Sequence, residues 1–251
     1  MTAETRKVAI VTGAARGIGR AIALALARHG MDLALVDLRE PELADTVKAV
    51  EAEGVATLPL IFDVSDYAAV RANTGIIFNR FGKIDVLVNN AAMVQPQSMS
   101  EITEAEWDRG MAVNLKSVFS WSQAVAPRML ESGGGRIVNI SSVSANTGGS
   151  KTGASRFAYA TAKAGVLGLT RSLARELAPH VLVNAVCPGS ILTDRTRASF
   201  DGHLEEIAAA TPMGRVGTPE DIAVVVAFLA TAEPLFMTGE VLDVDGGSNI
   251  N

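Results

Sequence analysis

Short apolar runs alternate along the chain with longer stretches in which apolar residues return every three or four positions. The runs at 7–12, 32–37, 55–62 and 85–89 predict strands, and the stretches at 18–27, 40–53 and 65–81 predict the helices between them. The second half repeats the scheme without repeating the sequence. A long helix is expected over 104–130, a strand from 136, a helix from 159 to about 177, and a strand at 181–186. Pro219 opens a helix to 230 with Thr218 as its N-cap, and 240–244 reads as the last strand. Residues 193–213 are polar with a helical centre. The strand runs do not alternate in polarity, so both their faces are buried, which predicts a parallel sheet covered by helices on both sides. The expectation is an α/β, doubly wound, Rossmann-type fold. No linker, repeat or shift of composition divides the chain, so 1–251 is read as one domain.

A length of 251 residues suits such a domain undivided, and a 48% hydrophobic content supplies its core. The formal net charge of −5 offers no attraction to a phosphate backbone, which argues against nucleic acid as a partner. The single cysteine, Cys187, forms no internal disulfide and reads as a packing residue. The N-terminal residues lack the apolar core of a signal peptide, and the longest apolar run, 222–230, is too short to span a bilayer. A soluble, cytoplasmic protein is expected. His29, His180 and His203 have no metal-ligand spacing, and no metal is expected.

Between the first strand and helix lies Thr12-Gly13-Ala-Ala-Arg16-Gly17-Ile18-Gly19. Gly13 allows a tight turn, Gly17 lets the backbone approach a pyrophosphate, and Gly19 permits close helix packing. The N–H groups and dipole of the helix N-terminus attract phosphate there. Asp37 ends the second strand, where a carboxylate can bind the adenosine ribose hydroxyls. That favours NAD, although Arg16 and Arg39 nearby leave NADP open.

Tyr159 and Lys163 stand four apart on one helix face, behind a strand that ends in Ser141 and Ser142. A phenol titrates near ~10, and a neighbouring ammonium lowers that value, making the phenol a usable acid and base. A tyrosine and lysine at this spacing recur by chance. Together with the strand end and the glycine turn, they resemble the active centre of the short-chain dehydrogenase/reductases.

The turn spacing G-x-x-x-G-x-G, preceded by threonine, also resembles that family, and the likeness runs to Thr238-Gly239 and 244–247. The resemblance implies an oxidoreductase that passes hydride between a nicotinamide cofactor and a secondary alcohol or ketone. It assigns proton exchange to Tyr159, orientation of the substrate oxygen to Ser142, and the nicotinamide ribose to Lys163. Asn114 would anchor a proton-relay water. Around the cofactor it places Gly13, Arg16, Gly17, Ile18, Gly19, Asp37, Asp63, Val64, Asn90, Ala91, Tyr159, Lys163, Pro188, Gly189, Ile191 and Thr193, with a substrate loop at about 190–213. It also implies a homodimer or homotetramer packed through 104–130 and 159–177, where Ala160, Ala162, Ala164, Gly165 and Gly168 allow close approach. Ser141 and Ser144 remain rivals for Ser142.

Two departures bear on substrate. Ala92 replaces a family glycine, and the segment between Ser142 and Tyr159 is several residues longer than usual. In that segment Lys151 and Arg156 would bring positive charge toward an anionic or polar substrate. The stretch 131–135 is not basic, unlike many reductases of acyl-carrier substrates. Two other readings stay open: an NADPH-dependent 3-oxoacyl-thioester reductase, and a non-catalytic nucleotide sensor on the same fold.

Overall fold

The structure, a computed structural model, describes residues 6–149 and 156–250. Seven strands form one sheet in the order β3-β2-β1-β4-β5-β6-β7, and every neighbouring pair is parallel. They are β1 Val8–Thr12, β2 Asp32–Asp37, β3 Thr57–Ile61, β4 Val86–Asn89, β5 Gly135–Ile140, β6 Val181–Pro188 and β7 Val241–Val244. The central strands follow the apolar runs because they bury both faces: β1 and β4 are buried along their whole length, whereas the edge strand β3, also expected to be buried, is partly exposed.

Helices cover both sides. On one lie α1 (Gly17–Arg28) and α10 (Pro219–Thr231), packed together over a core that includes Ile22, Leu26, Ile222 and Val226, with α2 (Glu40–Glu51) beside α1. On the other lie α3 (Tyr67–Phe81), α5 (Ser117–Glu131) and α7 (Phe157–Leu177), over Val70, Ile77, Trp121 and Met129. At the start of α10 the Asp221 carboxylate accepts the Thr218 N–H at 2.7 Å, which closes the first turn as expected. The remaining helices, α4 (Glu104–Met111), α6 (Ser144–Thr147), α8 (Asp194–Phe200) and α9 (Leu204–Ala210), are short and frame the C-terminal ends of the strands.

The long helix expected over 104–130 forms, with helical backbone angles throughout its junctions, but it carries a π-helical bulge in its middle. α4 and α5 are joined by a π-helical turn, Ala112–Lys116, centred on Asn114. At the bulge the Asn114 amide Oδ1 accepts the Met93 N–H at 2.9 Å and its Nδ2 donates to the Met93 carbonyl at 3.1 Å. This two-way bond ties the bulge to the chain after β4, and such bulges accompany functional sites. The region at 193–213 resolves into α8 and α9, with Thr193 capping α8 through its bond from the Thr196 N–H.

The polar break in the run from 136 also has a structural reason. Asn89 donates its amide to Asn139 Oδ1 at 2.9 Å, and Asn139 donates to Thr170 Oγ1 at 2.9 Å. All three are buried, so this bridge ties β4, β5 and α7 into one register beneath the site.

Candidate active site

The strand order reverses between β1 and β4, and the ends of those two strands diverge into a cleft, as parallel sheets of this kind direct. The cleft is a cavity of about 470 Å³, with Gly13, Arg16, Asp37, Asp63, Asn90 and Thr193 in its wall. Its floor is the glycine turn. Gly13 has φ +67°, and a Cβ there would lie 2.9 Å from the Ala91 Cα; at Gly19 a Cβ would overlap the Gly13 carbonyl. Gly19 thus fits the turn's own carbonyl, a closer constraint than the helix-on-strand packing expected for it. With no side chains at these points, the N-terminus of α1 faces the cleft through its backbone.

Asn90 fastens this floor. Its Nδ2 donates to the carbonyls of Thr12 (2.9 Å) and Gly13 (3.1 Å), while Thr12 Oγ1 accepts the N–H groups of Asn90 and Ala91 at 2.9 and 3.0 Å. At the far end, Asp37 accepts the Ala15 N–H on one oxygen at 3.0 Å and the Arg39 N–H on the other at 3.1 Å. Each carboxylate oxygen keeps a lone pair for a ribose hydroxyl. Arg16, Ile18, Gly17, Val64 and Ala91 complete this end of the wall. Backbone cradle, helix terminus and acid together fit a dinucleotide.

Asp63 is engaged by the protein itself. Ser65 donates to it through N–H (2.9 Å) and Oγ (2.7 Å), and Arg109 pairs with its other oxygen at 2.7 Å. Burial works to raise its pKa, but these partners outweigh it and hold the carboxyl below its ordinary value. Arg109 lies on α4 and has no motif around it, so nothing in the sequence marks it as part of the cleft.

At the other end of the site, β5 delivers Ser141 and Ser142, and α7 delivers Tyr159 and Lys163. Of the rival hydroxyls, Ser142 is the one hydrogen-bonded to the Tyr159 phenol. It also accepts the Ser144 N–H at 3.1 Å. Ser141 is turned away, donating to the Lys163 carbonyl at 2.8 Å. Lys163 is 1% exposed, and its Nζ donates to the Ile140 carbonyl at 2.7 Å, 5.6 Å from the centre of the Tyr159 ring.

The electrostatics correct one expectation. Burial pushes the Tyr159 phenol above its ordinary value, and the groups pulling it down are the Arg195 cation and the Ser142 hydrogen bond, not Lys163. Burial also brings the Lys163 ammonium down to about 7, with Arg195 acting in the same sense. Burial thus works against the ammonium of Lys163, which is not among the groups that pull the phenol down. Behind the pair, Cys187 is fully buried, and burial with the nearby Asp243 raises its thiol to about 11. It is a packing residue, as read from the sequence.

Of the turn after β6, Thr193 reaches the cavity wall. Pro188 accepts the Val143 N–H at 3.2 Å, Gly189 backs onto Asp245, and Ile191 is 5% exposed and bridged to Gly217; none of the three lines the cavity. Arg156 pairs at 3.9 Å with Glu101, which partly compensates its charge, and its backbone N–H donates to the Gln95 carbonyl. Lys151 lies outside the described residues. The small residues of α7 divide: Ala160 and Ala162 are buried within the chain, and a Cβ on Gly165 would strike Leu115, whereas Ala164 and Gly168 are exposed. Among the described residues no helix is long and apolar enough to cross a membrane.

Residues 13–249 match a family model described as enoyl-(acyl carrier protein) reductase. The chain is 41% identical over 243 residues to a 3-oxoacyl-[acyl-carrier-protein] reductase, FabG, of Staphylococcus aureus, covering 96% of this chain and 97% of that one. It is 41% identical over 248 residues to the short-chain reductase protein NovJ of Streptomyces niveus, covering 96% and 93%. A crystal structure titled as a putative short-chain alcohol dehydrogenase from Sinorhizobium meliloti superposes with a TM-score of 0.90 at 34% identity, covering 96% of each chain. A putative short-chain dehydrogenase/reductase from Burkholderia xenovorans does so equally, at 35% identity over 97% of each. The fold, the cleft and these relatives together place the chain in the short-chain dehydrogenase/reductase family, as an oxidoreductase that uses a nicotinamide cofactor.

Proposed function

We propose that the chain reduces a 3-oxoacyl-type ketone to the matching secondary alcohol, with NAD preferred to NADP. The observation that carries the chemistry is the hydrogen-bonded Ser142–Tyr159 pair set beside a buried Lys163. The nicotinamide, when bound, supplies or accepts the hydride. The chain supplies the rest. As the carbonyl oxygen gains charge, Tyr159 gives it a proton, and Ser142 holds that oxygen by a second hydrogen bond. Ser142 is poised for this because its lone pair takes the Ser144 N–H, leaving its own proton to point elsewhere. Lys163 would hold the nicotinamide ribose through its Nζ. Since its amide is committed to Met93 on both sides, Asn114 would meet a relay water through its backbone.

The 3-oxoacyl preference rests on relatives at 41% identity that bear that name, and it displaces a general secondary-alcohol substrate as the first choice. A secondary-alcohol dehydrogenase is the second reading, favoured by the non-basic stretch at 131–135. The full set of Asn114, Ser142, Tyr159 and Lys163 speaks against a sensor without catalysis. The cofactor preference rests on Asp37, whose oxygens would pair with ribose hydroxyls and repel a 2′-phosphate. Ala164, Gly168 and the 41%-exposed Phe119 on α5 are the outward residues through which a cytoplasmic homodimer or homotetramer would form. Light scattering at micromolar concentration tests that assembly, and a monomer mass refutes it.

The function is tested with 3-oxoacyl thioesters, esters and free acids, and with polyols in the reverse direction, followed by nicotinamide absorbance with both cofactors. Reduction of the 3-oxoacyl compounds at least tenfold more efficiently than oxidation of any polyol is expected. A polyol that outperforms them all would overturn the substrate assignment.

A further inference from the structure

Five guanidinium groups stand in or beside the site, and their partners differ. Arg109 is held by Asp63, Arg39 lies 3.5 Å from Glu42, and Arg156 lies 3.9 Å from Glu101. Arg16 sits in the glycine turn, at the Asp37 end. Arg195 is different. It occupies the first turn of α8, two residues past the capping Thr193, and its Nη1 reaches back to the Ala92 carbonyl at 3.2 Å. The side chain thereby crosses from the 190–213 region to the loop after β4 and forms part of the cleft wall.

Among the described residues, Arg195 has no carboxylate within 4.0 Å, although Asp194 is its neighbour in sequence, and the bond to Ala92 is its one hydrogen bond. A guanidinium offers five donors in a fixed fork that matches a carboxylate. The fork here is exposed and mostly unsatisfied, in the cleft wall beside Ala92 and Met93. Its anchor, Ala92, adjoins Met93, whose backbone is held by Asn114, and its field reaches both Tyr159 and Lys163, so the cation stands on the side of the cleft nearer the reacting groups.

We propose that Arg195 binds an anionic group of the substrate, a carboxylate close to the reacting ketone, so that the chain selects short free oxo acids within the 3-oxoacyl class. This inference rests on the ketone-reductase reading above. The ketone oxygen lies against Ser142 and Tyr159 while the carboxylate meets the guanidinium, and the two contacts fix which face the hydride reaches. The same cation stabilises negative charge as Tyr159 gives up its proton. A carboxylate is favoured over a cofactor phosphate as the partner because the N-terminus of α1 is itself a phosphate site. It also relocates the positive charge expected from the longer loop: the cation without an acid sits on α8.

The test compares 3-oxobutanoate with its uncharged methyl ester in the wild type, Arg195→Met and Arg195→Lys, alongside the dinucleotide dissociation constant without substrate. The wild type should favour the acid over the ester at least tenfold in kcat/KM, less so at high salt because the cation is exposed. Arg195→Met should erase that preference with the dinucleotide constant within twofold, and Arg195→Lys should restore part of it. Equal use of acid and ester by the wild type overturns the inference and leaves the ketone-reductase reading standing. So does a preference that survives in Arg195→Met. A tenfold weaker dinucleotide with an unchanged preference assigns the cation to the cofactor instead. Reduction of neither compound sinks both this inference and the reading beneath it.

Discussion

The two ends of the cleft are built from different materials. The dinucleotide end is mostly backbone: Gly13 and Gly19 clear the way, Asn90 and Thr12 pin the turn to β4, and one exposed-edge acid, Asp37, is steadied by two N–H groups. The reaction end is side chains drawn from β5, α7 and α8, and its two titrating members are buried with displaced acidities. The first end is complete without its ligand. The second carries a phenol that burial pushes up and an ammonium that burial pushes down, so its chemistry depends on the charges brought beside it. A site divided this way separates binding from turnover.

The largest effect that sharpens the contrast belongs to Lys163→Met. Loss of the ammonium should cut turnover by about a hundredfold or more and weaken dinucleotide binding too, because one group serves both. Single-turnover rates and binding titrations check this; a lost rate with unchanged affinity removes its ribose role. The same variant has an opposite effect on stability. The folded lysine titrates at about 7, whereas an unfolded one titrates near ~10.4, so between these values the unfolded chain binds more protons. Stability of the wild type should therefore rise with pH from about 7 toward about 10. Lys163→Met should be more stable at pH 7 and flat over that window, as melting temperatures across it will show.

At the other end, Asp37→Ala should weaken NAD and improve NADP, shifting discrimination by about tenfold to a hundredfold, with Arg16 and Arg39 free to meet the phosphate. Specificity constants for both cofactors measure it, and a wild-type preference for NADP would reverse the cofactor assignment without touching Tyr159. The smallest effect on function belongs to the bridge beneath both ends. Asn139→Val strands the Asn89 amide and should cost about 1–3 kcal/mol of stability, read by denaturant unfolding, with turnover per folded molecule unchanged.

The same division explains what the sequence made legible. The sheet and its helices were readable because the central strands are short apolar runs buried on both faces, and the glycine turn because its spacing sits between a strand and a helix; the outer strands β3 and β7 are only partly buried. Tyr159, Lys163 and the strand-end serines stood out because fixed spacing on one helix or strand shows in one dimension. What did not show depends on partners far along the chain. The π-helical turn at Asn114 is tied by hydrogen bonds to Met93, and the polar Asn139 is matched by Asn89 and Thr170 from other elements. Arg109 and Arg195 join the cleft only after α4 and α8 are folded over it. The acidities failed for the same reason: helical spacing places Lys163 near Tyr159 but says nothing of how deeply both are buried.

The separation of the two ends is tested most directly by Tyr159→Phe, which removes one hydroxyl and keeps the ring. Dinucleotide affinity and the single-turnover rate of hydride transfer are measured on the same preparation, with wild type beside it. The affinity should stay within about twofold, and the rate should fall by a factor of about a hundred to ten thousand, the range that a lost proton donor commands. A variant that binds the dinucleotide as before and still transfers hydride at near the wild-type rate would contradict the account, because the phenol would then have no part in the chemistry.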